Sequence, residues 1–498
     1  MCVRGRTVIE TASTLGTVSE ILRAAGLLRE FHGPEDLAVI GVCQDSRKAR
    51  PGDLFLAWRG DSVDAHDFIS TAAISGAVAA VVEHKVDVEV PQLVVTDGRR
   101  AAALVARDVI GSGSRCMFTV GVTGTNGKTT TALLARHLME QKGPAAAIGT
   151  LGVFDDQGVR PGTEGLTTPG PVQVAVFLQQ LADGAMEAVV LEASSHALDQ
   201  HRIDGVVFDV GVFTNLSHDH LDYHRDIAEY FGAKAHLVEL IASRGTLVVN
   251  GDDPAWSKLD ASGRSVRTFA VDNEADVRAE SVRMGPNGSD FTLVVDGERR
   301  EVHLPLLAHF NIENALAAAT VGIAYGLSFD EIALRLSTAP PVAGRLEVVA
   351  TEPFKVLIDF AHTPAALNSV LEALRPLTKG RLIVVFGAGG DRDRIKRGPM
   401  AATVARIADV VVLTSDNPRT EDPDQILDDL VKGLNGGVHE RVVDRRDAIR
   451  FAFATAQAGD TVVLAGKGHE TYQVVGDERR PFDERAIVQD CLEELGVA

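Results

Sequence analysis

Cysteine is scarce and scattered in this chain of 498 residues. The four cysteines form no C-x-x-C pair, which excludes a zinc knuckle and a disulfide framework; they are Cys2, Cys43, Cys116 and Cys491. The chain also lacks a basic-then-apolar leader and any run of about 18 apolar residues that could span a membrane. We therefore expect a reduced, cytoplasmic protein that does not insert into membranes.

Basic residues are in deficit as well. The chain has 49 lysines and arginines against 69 aspartates and glutamates, for a formal net charge of −20. Such an acidic surface repels phosphate backbones and argues against a nucleic-acid partner. A small anionic substrate is still compatible with this charge, because a local basic pocket can lie inside an acidic shell.

What the sequence does contain is a globular composition, with 45% hydrophobic and 24% charged residues. The length corresponds to roughly three domains of about 150 residues each. Short apolar runs broken by Pro51-Gly52 predict a small α/β domain over residues 1–113. Longer continuous runs ending in glycine predict a central, P-loop ATPase-like parallel sheet over 114–341.

A third pattern, over 342–498, alternates apolar runs with helical segments such as 364–377. This alternation predicts a second, Rossmann-like doubly wound sheet, so the expected fold class is α/β with three domains. The apolar runs of this region end in Gly, Asp, Ser or His. Ligands of open α/β sheets bind at such carboxyl ends of strands.

A glycine loop lies between a predicted strand and a predicted helix, with the sequence Gly124-Thr125-Asn126-Gly127-Lys128-Thr129-Thr130. Glycines let backbone N–H groups approach a phosphate, and the helix N-terminus adds positive potential. Lys128 would neutralise the β- and γ-phosphate oxygens, and Thr129 would place its hydroxyl on Mg²⁺. Val122 stands where the usual pattern has glycine, so we expect a variant ATP-binding loop.

The loop G-T-N-G-K-T-T resembles that of the Mur ligase family, the ATP-dependent amide-forming enzymes of peptidoglycan precursor synthesis. The resemblance covers nearly the whole chain in the expected order. It implies that Lys128, His220 and a carbamylated Lys234 are catalytic. It also implies a set of Mg²⁺ ligands, which are Thr129, Glu192, His220 and Lys234. Further nucleotide contacts would come from Asn314, in a helix expected to be capped by Asn311, and from Arg345. Ala308 replaces a glycine of the family motif.

The segment D-S-R-x-x-x-P-G-D-L-F at 45–55 resembles the UDP-binding domain of the tripeptide synthetase branch of this family. A second match is the segment E-x-S-S-H-x-L-x-Q-x-R that begins at Glu192. The resemblance implies that UDP-MurNAc-L-Ala-D-Glu is held by the loop after Gly60 and by seven residues. They are Ser46, Arg47, Thr167, Thr168, Ser194, Gln200 and Arg202. Hydroxyls and arginines suit a pyrophosphate and a carboxylate.

The third region carries Asp416-Asn417-Pro418-Arg419 at the end of a predicted strand. In this family the Asp-Asn-Pro-Arg form marks members that add meso-diaminopimelate. A guanidinium can bind the second carboxylate of that amino acid bidentately, whereas it would repel the ammonium of lysine. The resemblance adds Arg392, Gly466 and Glu470, and Glu470 could pair with the distal ammonium.

We therefore expect an ATP-dependent ligase, with small-molecule substrates and a monomeric state, that works through an acyl phosphate. The alternatives are the same chemistry with L-lysine or another amine, and a specialised paralogue acting on a different peptide or nucleotide. A non-catalytic nucleotide-binding regulator is a further alternative. It is disfavoured because a binding module needs no second metal site.

Overall fold

The apolar runs of the sequence become buried strands in the structure, a computed structural model that describes residues 13–60, 63–221, 223–434 and 436–496. The chain divides into two compact units, Met1–Arg278 with Asn314–Ile332 and Ala279–Glu313 with Ala333–Ala498. None of the described helices combines the length and apolarity needed to cross a bilayer. Cys43, Cys116 and Cys491 form no disulfide among the described residues, and Cys2 lies outside them.

The first region folds as a small five-stranded sheet with the order β2-β7-β6-β5-β4. Strands β4 to β7 are parallel, and β2 pairs antiparallel to β7. Residues such as Leu54, Val81 and Leu93 form a buried core with the apolar side of α1 and α3. The elements are β1 (Ser13–Thr14), α1 (Leu15–Ala24), β2 (Leu28–His32), β3 (Ala38–Val39), β4 (Gly41–Cys43), β5 (Asp53–Leu56), α2 (Ile69–Ile74), β6 (Ala79–Val82), β7 (Gln92–Val95) and α3 (Gly98–Ile110).

The central region forms a larger sheet in which β9, β12, β8, β13, β14 and β15 are consecutive and parallel. Because these strands are parallel, the residues that follow β8, β12 and β13 meet at one edge. The elements are β8 (Phe118–Thr123), α4 (Lys128–Met139), β9 (Ala145–Gly149), β10 (Gly152–Asp155), β11 (Gly158–Val159), α5 (Pro171–Asp183), β12 (Ala188–Glu192), α6 (Ser195–Asp199), β13 (Phe208–Phe213), α7 (Ile227–Ala235), α8 (Leu237–Leu240), β14 (Ile241–Asn250), β15 (Ser265–Ala270) and β16 (Val277–Gly285).

An antiparallel ribbon that the sequence patterns did not predict follows, formed by β17 (Gly288–Val295) and β18 (Glu298–Leu304). Two helices come next, α9 (His309–Tyr325) and α10 (Phe329–Ser337). The expectation that Asn311 caps α9 is wrong, because the helix already begins at His309. The Asn311 amide instead donates to the carbonyl of Leu307 at 2.7 Å.

The last region confirms the predicted doubly wound sheet, with the strand order β19-β20-β24-β21-β22-β23. All its pairs are parallel except β19 with β20. Helices α11 to α13 pack on one core of this sheet, and α14 and α15 pack on the other. The elements are β19 (Glu347–Ala350), β20 (Lys355–Asp359), α11 (Pro364–Leu374), β21 (Leu382–Phe386), α12 (Arg397–Ile407), β22 (Val410–Leu413), α13 (Pro423–Gly433), β23 (Glu440–Arg441), α14 (Arg445–Thr455), β24 (Thr461–Ala465), β25 (Tyr472–Val475), β26 (Glu478–Pro481) and α15 (Glu484–Glu494).

Candidate active site

The glycine loop leaves β8 and enters α4 as predicted. Residues that follow β13, the neighbour of β8 in the sheet, hold the loop in place. The N–H of Thr125 donates to the carbonyl of Asn215 at 2.7 Å, and the N–H of Asn126 donates to the Asn215 side chain at 2.9 Å. Thr214 donates its hydroxyl to the carbonyl of Asn126 at 2.7 Å. Thr214 and Asn215 follow β13, so their role depends on the parallel pairing of β13 with β8.

Both loop glycines have backbone conformations and neighbours that leave no room for a side chain. Gly124 and Gly127 have φ values of +144° and +84°, in the region that favours glycine. A Cβ on Gly124 would lie 1.9 Å from the hydroxyl of Thr214, and one on Gly127 would lie 2.3 Å from the amide oxygen of Asn314. This tight, N–H-rich turn at the start of a helix is the geometry that binds a phosphate chain.

Two lysine side chains meet at this loop. Lys128 donates from Nζ to the carbonyls of Gly124 and Thr125, at 2.9 and 2.8 Å. Lys234 also donates to the Gly124 carbonyl, at 2.7 Å, and lies over the ring of Tyr230. Burial, reinforced by the positive charge of Lys128, lowers the pKa of Lys234 well below its ordinary value. A neutral amine is the form that can react with CO₂, so this environment fits the carbamate expected at Lys234.

A buried carboxylate lies beside the first turn of α4. Glu192, at the end of β12, is 2% exposed and accepts from the hydroxyl of Thr129 at 3.0 Å. It also accepts from the backbone N–H of Thr150 at 2.9 Å and from the hydroxyl of Thr150 at 3.1 Å. Carboxylate and hydroxyl oxygens next to a phosphate loop form the hard donor set that Mg²⁺ prefers, so these residues fit the expected ion.

His220, the other expected metal ligand, lies in a group of rings that follows β12 and β13. Its φ is +54°, and its ring lies perpendicular to that of His196 with the centroids 4.8 Å apart. His196 belongs to α6, which begins at Ser195, three residues after Glu192. The side chain of His220 is 45% exposed, and its Nε2 lies 3.6 Å from Asp219.

Four of the expected substrate residues of the central region form one hydrogen-bonded group. Thr168 donates to the carbonyl of Glu192 at 2.6 Å and accepts from the N–H of Ser194 at 3.0 Å. Arg202 donates to the carbonyl of Thr168 at 3.0 Å and to the side-chain oxygen of Gln200 at 2.7 Å. The arginine is therefore held by its neighbours before any substrate carboxylate arrives.

Thr167 joins the same region through Thr150, because the hydroxyl oxygens of the two threonines lie 3.2 Å apart, within hydrogen-bond distance. Thr150 thus links Glu192 of the metal set with Thr167 of the substrate set. Sequence reasoning missed Thr150, since nothing in its local pattern marks it. Its function as a link arises only because β9 lies next to β12.

In the first region, Ser46 is buried within a 3₁₀ turn capped by Asp45. Arg47 is exposed and forms a bidentate pair with Asp45, at 2.9 and 3.0 Å. Residues 61 and 62, in the expected loop after Gly60, lie outside the described residues. The exposed guanidinium of Arg47 is accessible to an anion, as expected for a nucleotide contact.

Of the two further expected nucleotide contacts, Asn314 lies directly beside the phosphate loop. It is buried, and its amide oxygen accepts from the hydroxyl of Thr131 at 3.1 Å. Arg345 lies in the other unit, where its guanidinium stacks 4.6 Å from the centroid of the Phe360 ring. The contacts of these two residues with adenine or phosphate remain predictions.

The expected amine-binding residues of the last region converge at the carboxyl end of its sheet. Asn417 follows β22 and donates its amide N–H to Oε2 of Glu470 at 2.9 Å, although Glu470 follows β24. Asp416 is buried, and its Oδ2 has no hydrogen-bond partner among the described residues. Gly466 has a φ of +115°, and a Cβ there would lie 2.5 Å from that oxygen. An unpartnered buried carboxylate oxygen fits a ligand that brings its own N–H donors.

Arg419 is fixed by both its backbone and its side chain. Its φ is +52°, its N–H donates to the carbonyl of Val474 at 3.0 Å, and its guanidinium donates to the carbonyl of Gly390 at 2.7 Å. Burial, together with the positive charge of Arg392, lowers its pKa. Arg392 itself is exposed. Two neighbouring guanidinium groups favour an anionic ligand.

Sequence reasoning also missed Arg397, whose side chain joins the loop that contains Arg392 to the segment that follows Arg419. Arg397, which is 1% exposed, donates to Glu421 at 2.9 Å, to Asp429 at 3.0 Å and to the carbonyl of Gly389 at 3.2 Å. A second omission was Lys467 of the Gly466-Lys-Gly-His-Glu470 segment, which is fully buried against Asn417 and Glu470. Its position in a glycine loop between two expected binding residues was the signal available.

Comparison with known proteins places three family models along the chain. The model described as "Mur ligase family, catalytic domain" matches residues 39–124, "Mur ligase middle domain" matches 122–322, and "Mur ligase, glutamate ligase domain" matches 344–468.

Curated relatives match over nearly the full length. A protein of Bacillus velezensis named UDP-N-acetylmuramoyl-L-alanyl-D-glutamate--2,6-diaminopimelate ligase is 38% identical, with 95% of this chain and 98% of that protein covered. A protein of the same name from Geobacter sulfurreducens is 42% identical, with 89% and 92% covered. A solved structure with that ligase name superposes with a TM-score of 0.71 at 31% identity, covering 98% of this chain and all of the other.

Proposed function

The chain belongs to the Mur ligase family, and from that premise we propose that it adds meso-diaminopimelate to UDP-MurNAc-L-Ala-D-Glu in peptidoglycan precursor synthesis. The reaction is an ATP-dependent amide formation that releases ADP and phosphate. Its three substrates are small molecules, in agreement with the local basic residues inside an acidic chain.

The choice of meso-diaminopimelate as the amine rests on the positions of Arg419 and Glu470. The two residues have opposite charges and are connected by one series of hydrogen bonds. The N–H of Arg419 binds the carbonyl of Val474, the N–H of Val474 binds Oδ1 of Asn417 at 2.9 Å, and Nδ2 of Asn417 binds Glu470. A fixed cation and a fixed anion suit the distal end of meso-diaminopimelate, which carries a carboxylate and an ammonium.

The first chemical step is attack by the γ-carboxylate of the D-glutamate on the γ-phosphorus of ATP, which releases ADP and leaves an acyl phosphate. Lys128, whose Nζ donates to the loop carbonyl of Gly124, would neutralise phosphate oxygens, and the loop N–H groups would orient them. Thr129, Glu192, His220 and carbamylated Lys234 would hold Mg²⁺, and Asn314 and Arg345 would contact the nucleotide. When bound, the ion supplies positive charge next to the transferring phosphoryl group.

The second step is attack by the deprotonated amine of meso-diaminopimelate on the acyl carbon. The tetrahedral intermediate collapses to the amide and expels inorganic phosphate. Arg419, Arg392 and Glu470 hold the distal end of the amine, so that its other end alone is presented to the acyl phosphate. In the same proposal Arg202, Thr168 and Ser194 orient the dipeptide, and Ser46 and Arg47 hold the UDP group.

The proposal also includes the division of the chain into a UDP-sugar-binding domain (1–113), an ATP-binding domain (114–341) and an amino-acid-binding domain (342–498). It places the enzyme in the cytoplasm, where its nucleotide substrates are made, and describes it as a monomer. Sedimentation at working concentration tests the monomer.

The direct test is phosphate release by the purified chain with ATP, Mg²⁺, UDP-MurNAc-L-Ala-D-Glu and either meso-diaminopimelate or L-lysine. We expect release that depends on the dipeptide and strongly favours meso-diaminopimelate. Preference for L-lysine would assign the alternative amine, and no release with either amine would contradict the proposal. Arg419→Ala should raise the KM for meso-diaminopimelate roughly tenfold or more without changing the KM for ATP. Arg406→Ala removes an exposed arginine of the same unit and is the matched control.

A further inference from the structure

Lys467 is a fully buried cation next to the expected amine-binding residues. Its side chain is 0% exposed, and its Nζ donates to Oε2 of Glu470 at 2.9 Å and to Oδ1 of Asn417 at 3.1 Å. Asn417 in turn donates to the same Oε2 of Glu470. The three side chains therefore form a closed triangle in which each is bonded to the other two.

The triangle determines how Asn417 and Glu470 face a ligand. Oδ1 of Asn417 accepts from two N–H donors, those of Lys467 and Val474, so the amide cannot turn over without losing both. Oε2 of Glu470 accepts from Lys467 and Asn417, and Oε1 has no partner among the described residues. Glu470 thus offers one oxygen to a ligand while the other is held by a cation.

The charges around this triangle are balanced. Three carboxylates, Asp416, Glu470 and Asp391, face three cations, Lys467, Arg419 and Arg392. Without Lys467 the carboxylates would be in excess by one. Of these three cations, Lys467 is the one that donates directly to Glu470. Glu470 is the carboxylate expected to bind the distal ammonium of the ligand.

We propose that Lys467 is a specificity-determining residue, which cancels the charge of Glu470 and so makes the site reject an amine whose distal end is only a cation. A distal ammonium alone gains one oxygen of a neutralised carboxylate and meets a site with no net negative charge. A distal group that carries its own carboxylate adds a salt bridge to Arg419 and brings no net charge. This inference rests on the proposed function, because it concerns how that amine is chosen.

The test compares kcat/KM for meso-diaminopimelate and for L-lysine in the full-length wild type and in Lys467→Met. The ratio of the two values does not depend on how much of a preparation is active, so partial misfolding does not distort it. We expect the ratio to fall roughly tenfold or more in Lys467→Met, mainly through a gain with L-lysine, because a buried charge acts at low effective dielectric. Lys379→Met removes an exposed lysine from the same unit and should leave the ratio unchanged.

A second variant covers the outcome in which Lys467→Met does not fold. Lys467→Gln also removes the positive charge, but it keeps an amide N–H that can donate a hydrogen bond in the buried site. We expect its ratio to fall in the same direction as that of Lys467→Met. A wild-type ratio in a folded preparation of either variant would overturn the inference. Absence of meso-diaminopimelate addition by the wild type would instead contradict the proposed function.

Discussion

Lys128 and Lys234 donate hydrogen bonds to one acceptor, the carbonyl oxygen of Gly124, at 2.9 and 2.7 Å. Two ammonium groups at one carbonyl repel each other, and Lys234 is the buried partner whose pKa falls. The two lysines are 106 positions apart by their numbers in the sequence, so only the fold brings them together. The contact separates their roles, because the lysine with the lowered pKa is the one suited to carbamate formation.

Replacement of Lys234 tests that separation. We expect Lys234→Ala to lower kcat by roughly a hundredfold or more, since the carbamate oxygens would be lost from a charge-stabilising set. Nucleotide affinity should change little, because the phosphate loop and Lys128 remain. Phosphate release and nucleotide titration measure the two effects, and added formate or acetate should restore part of the activity by supplying carboxylate oxygens.

Lys258→Ala, at an exposed lysine of the same unit, is the control and should retain wild-type activity. If Lys234→Ala lost nucleotide binding to the same degree as activity, the role of Lys234 in holding the loop at Gly124 would account for the whole effect.

Glycine at position 127 can be tested by a pair of substitutions. Gly127→Ala and Gly263→Ala both place alanine at a positive φ, +84° and +78°, but only the former Cβ meets a neighbour, Asn314 at 2.3 Å. Gly263→Ala should cost about 1 kcal/mol of unfolding free energy from backbone conformation alone. Gly127→Ala should cost roughly 2–4 kcal/mol, because the contact with Asn314 adds to that strain.

Chemical denaturation measures both costs, and the KM for ATP should rise only in Gly127→Ala. Equal losses of stability in the two variants would show that Asn314 moves aside without cost.

The buried pair Arg445–Glu484 joins the first turns of α14 and α15. Both side chains are 0% exposed, with Nε and Oε1 2.7 Å apart. The guanidinium also donates to the carbonyl of Ala465 at 2.9 Å, the residue before Gly466. Glu484→Gln should cost roughly 3–5 kcal/mol of unfolding free energy, because it leaves a buried guanidinium without its counter-ion.

An exposed pair of the same unit, Arg450–Glu494 at 2.8 Å, provides the comparison. Glu494→Gln should leave stability nearly unchanged, because solvent screens the charges of an exposed pair. A small loss in Glu484→Gln, similar to that of Glu494→Gln, would mean that the carbonyl contacts of Arg445 hold this region without the carboxylate.

The ionic group formed by His201, Asp204 and His236 predicts a pH-dependent stability. Burial opposes ionisation of Asp204, but hydrogen bonds from His201 at 2.9 Å and His236 at 3.0 Å outweigh it and lower its pKa to about 2. The hydrogen bond to Asp204 outweighs burial at His201 and raises the pKa of that histidine above 6.5.

The two pKa shifts define a pH range in which this ionic group stabilises the fold. The contribution of Asp204 is complete above its ordinary pKa of 3.8 and is lost as the pH falls towards 2. The contribution of His201 is complete below 6.5 and is lost as the pH rises through its raised pKa. Asp204→Asn should therefore lower the unfolding free energy by about 2 kcal/mol between these limits and by less on either side. Thermal unfolding across this range measures the effect, and Asp87→Asn, at an exposed aspartate, should show no such window.

The phosphate loop and the parallel sheets were predictable because their signals are local. A continuous apolar run, a glycine turn and a helical pattern follow one another between Phe118 and Met139, and the backbone joins them directly. The antiparallel ribbon β17–β18 was not predicted, since its pairing depends on partners rather than on a buried run. The start of α9 was misplaced because its preceding residue, Ala308, has a φ of +80° that no sequence pattern indicates.

The sequence by itself determined which residue types are available and at which strand ends they stand, since spacing along the chain decides both. It assigned Asn417 and Glu470 to the ends of separate strands. Only the tertiary structure decided that the side chain of Asn417 meets Lys467 and Glu470, because β21 lies between β22 and β24 and the strand order is a long-range property. The tertiary structure also decided three other features. They are the burial of Lys467, the Gly124 carbonyl shared by Lys128 and Lys234, and the link that Thr150 makes between Glu192 and Thr167. Each depends on distances between segments far apart in sequence, and those distances are set by packing and strand register.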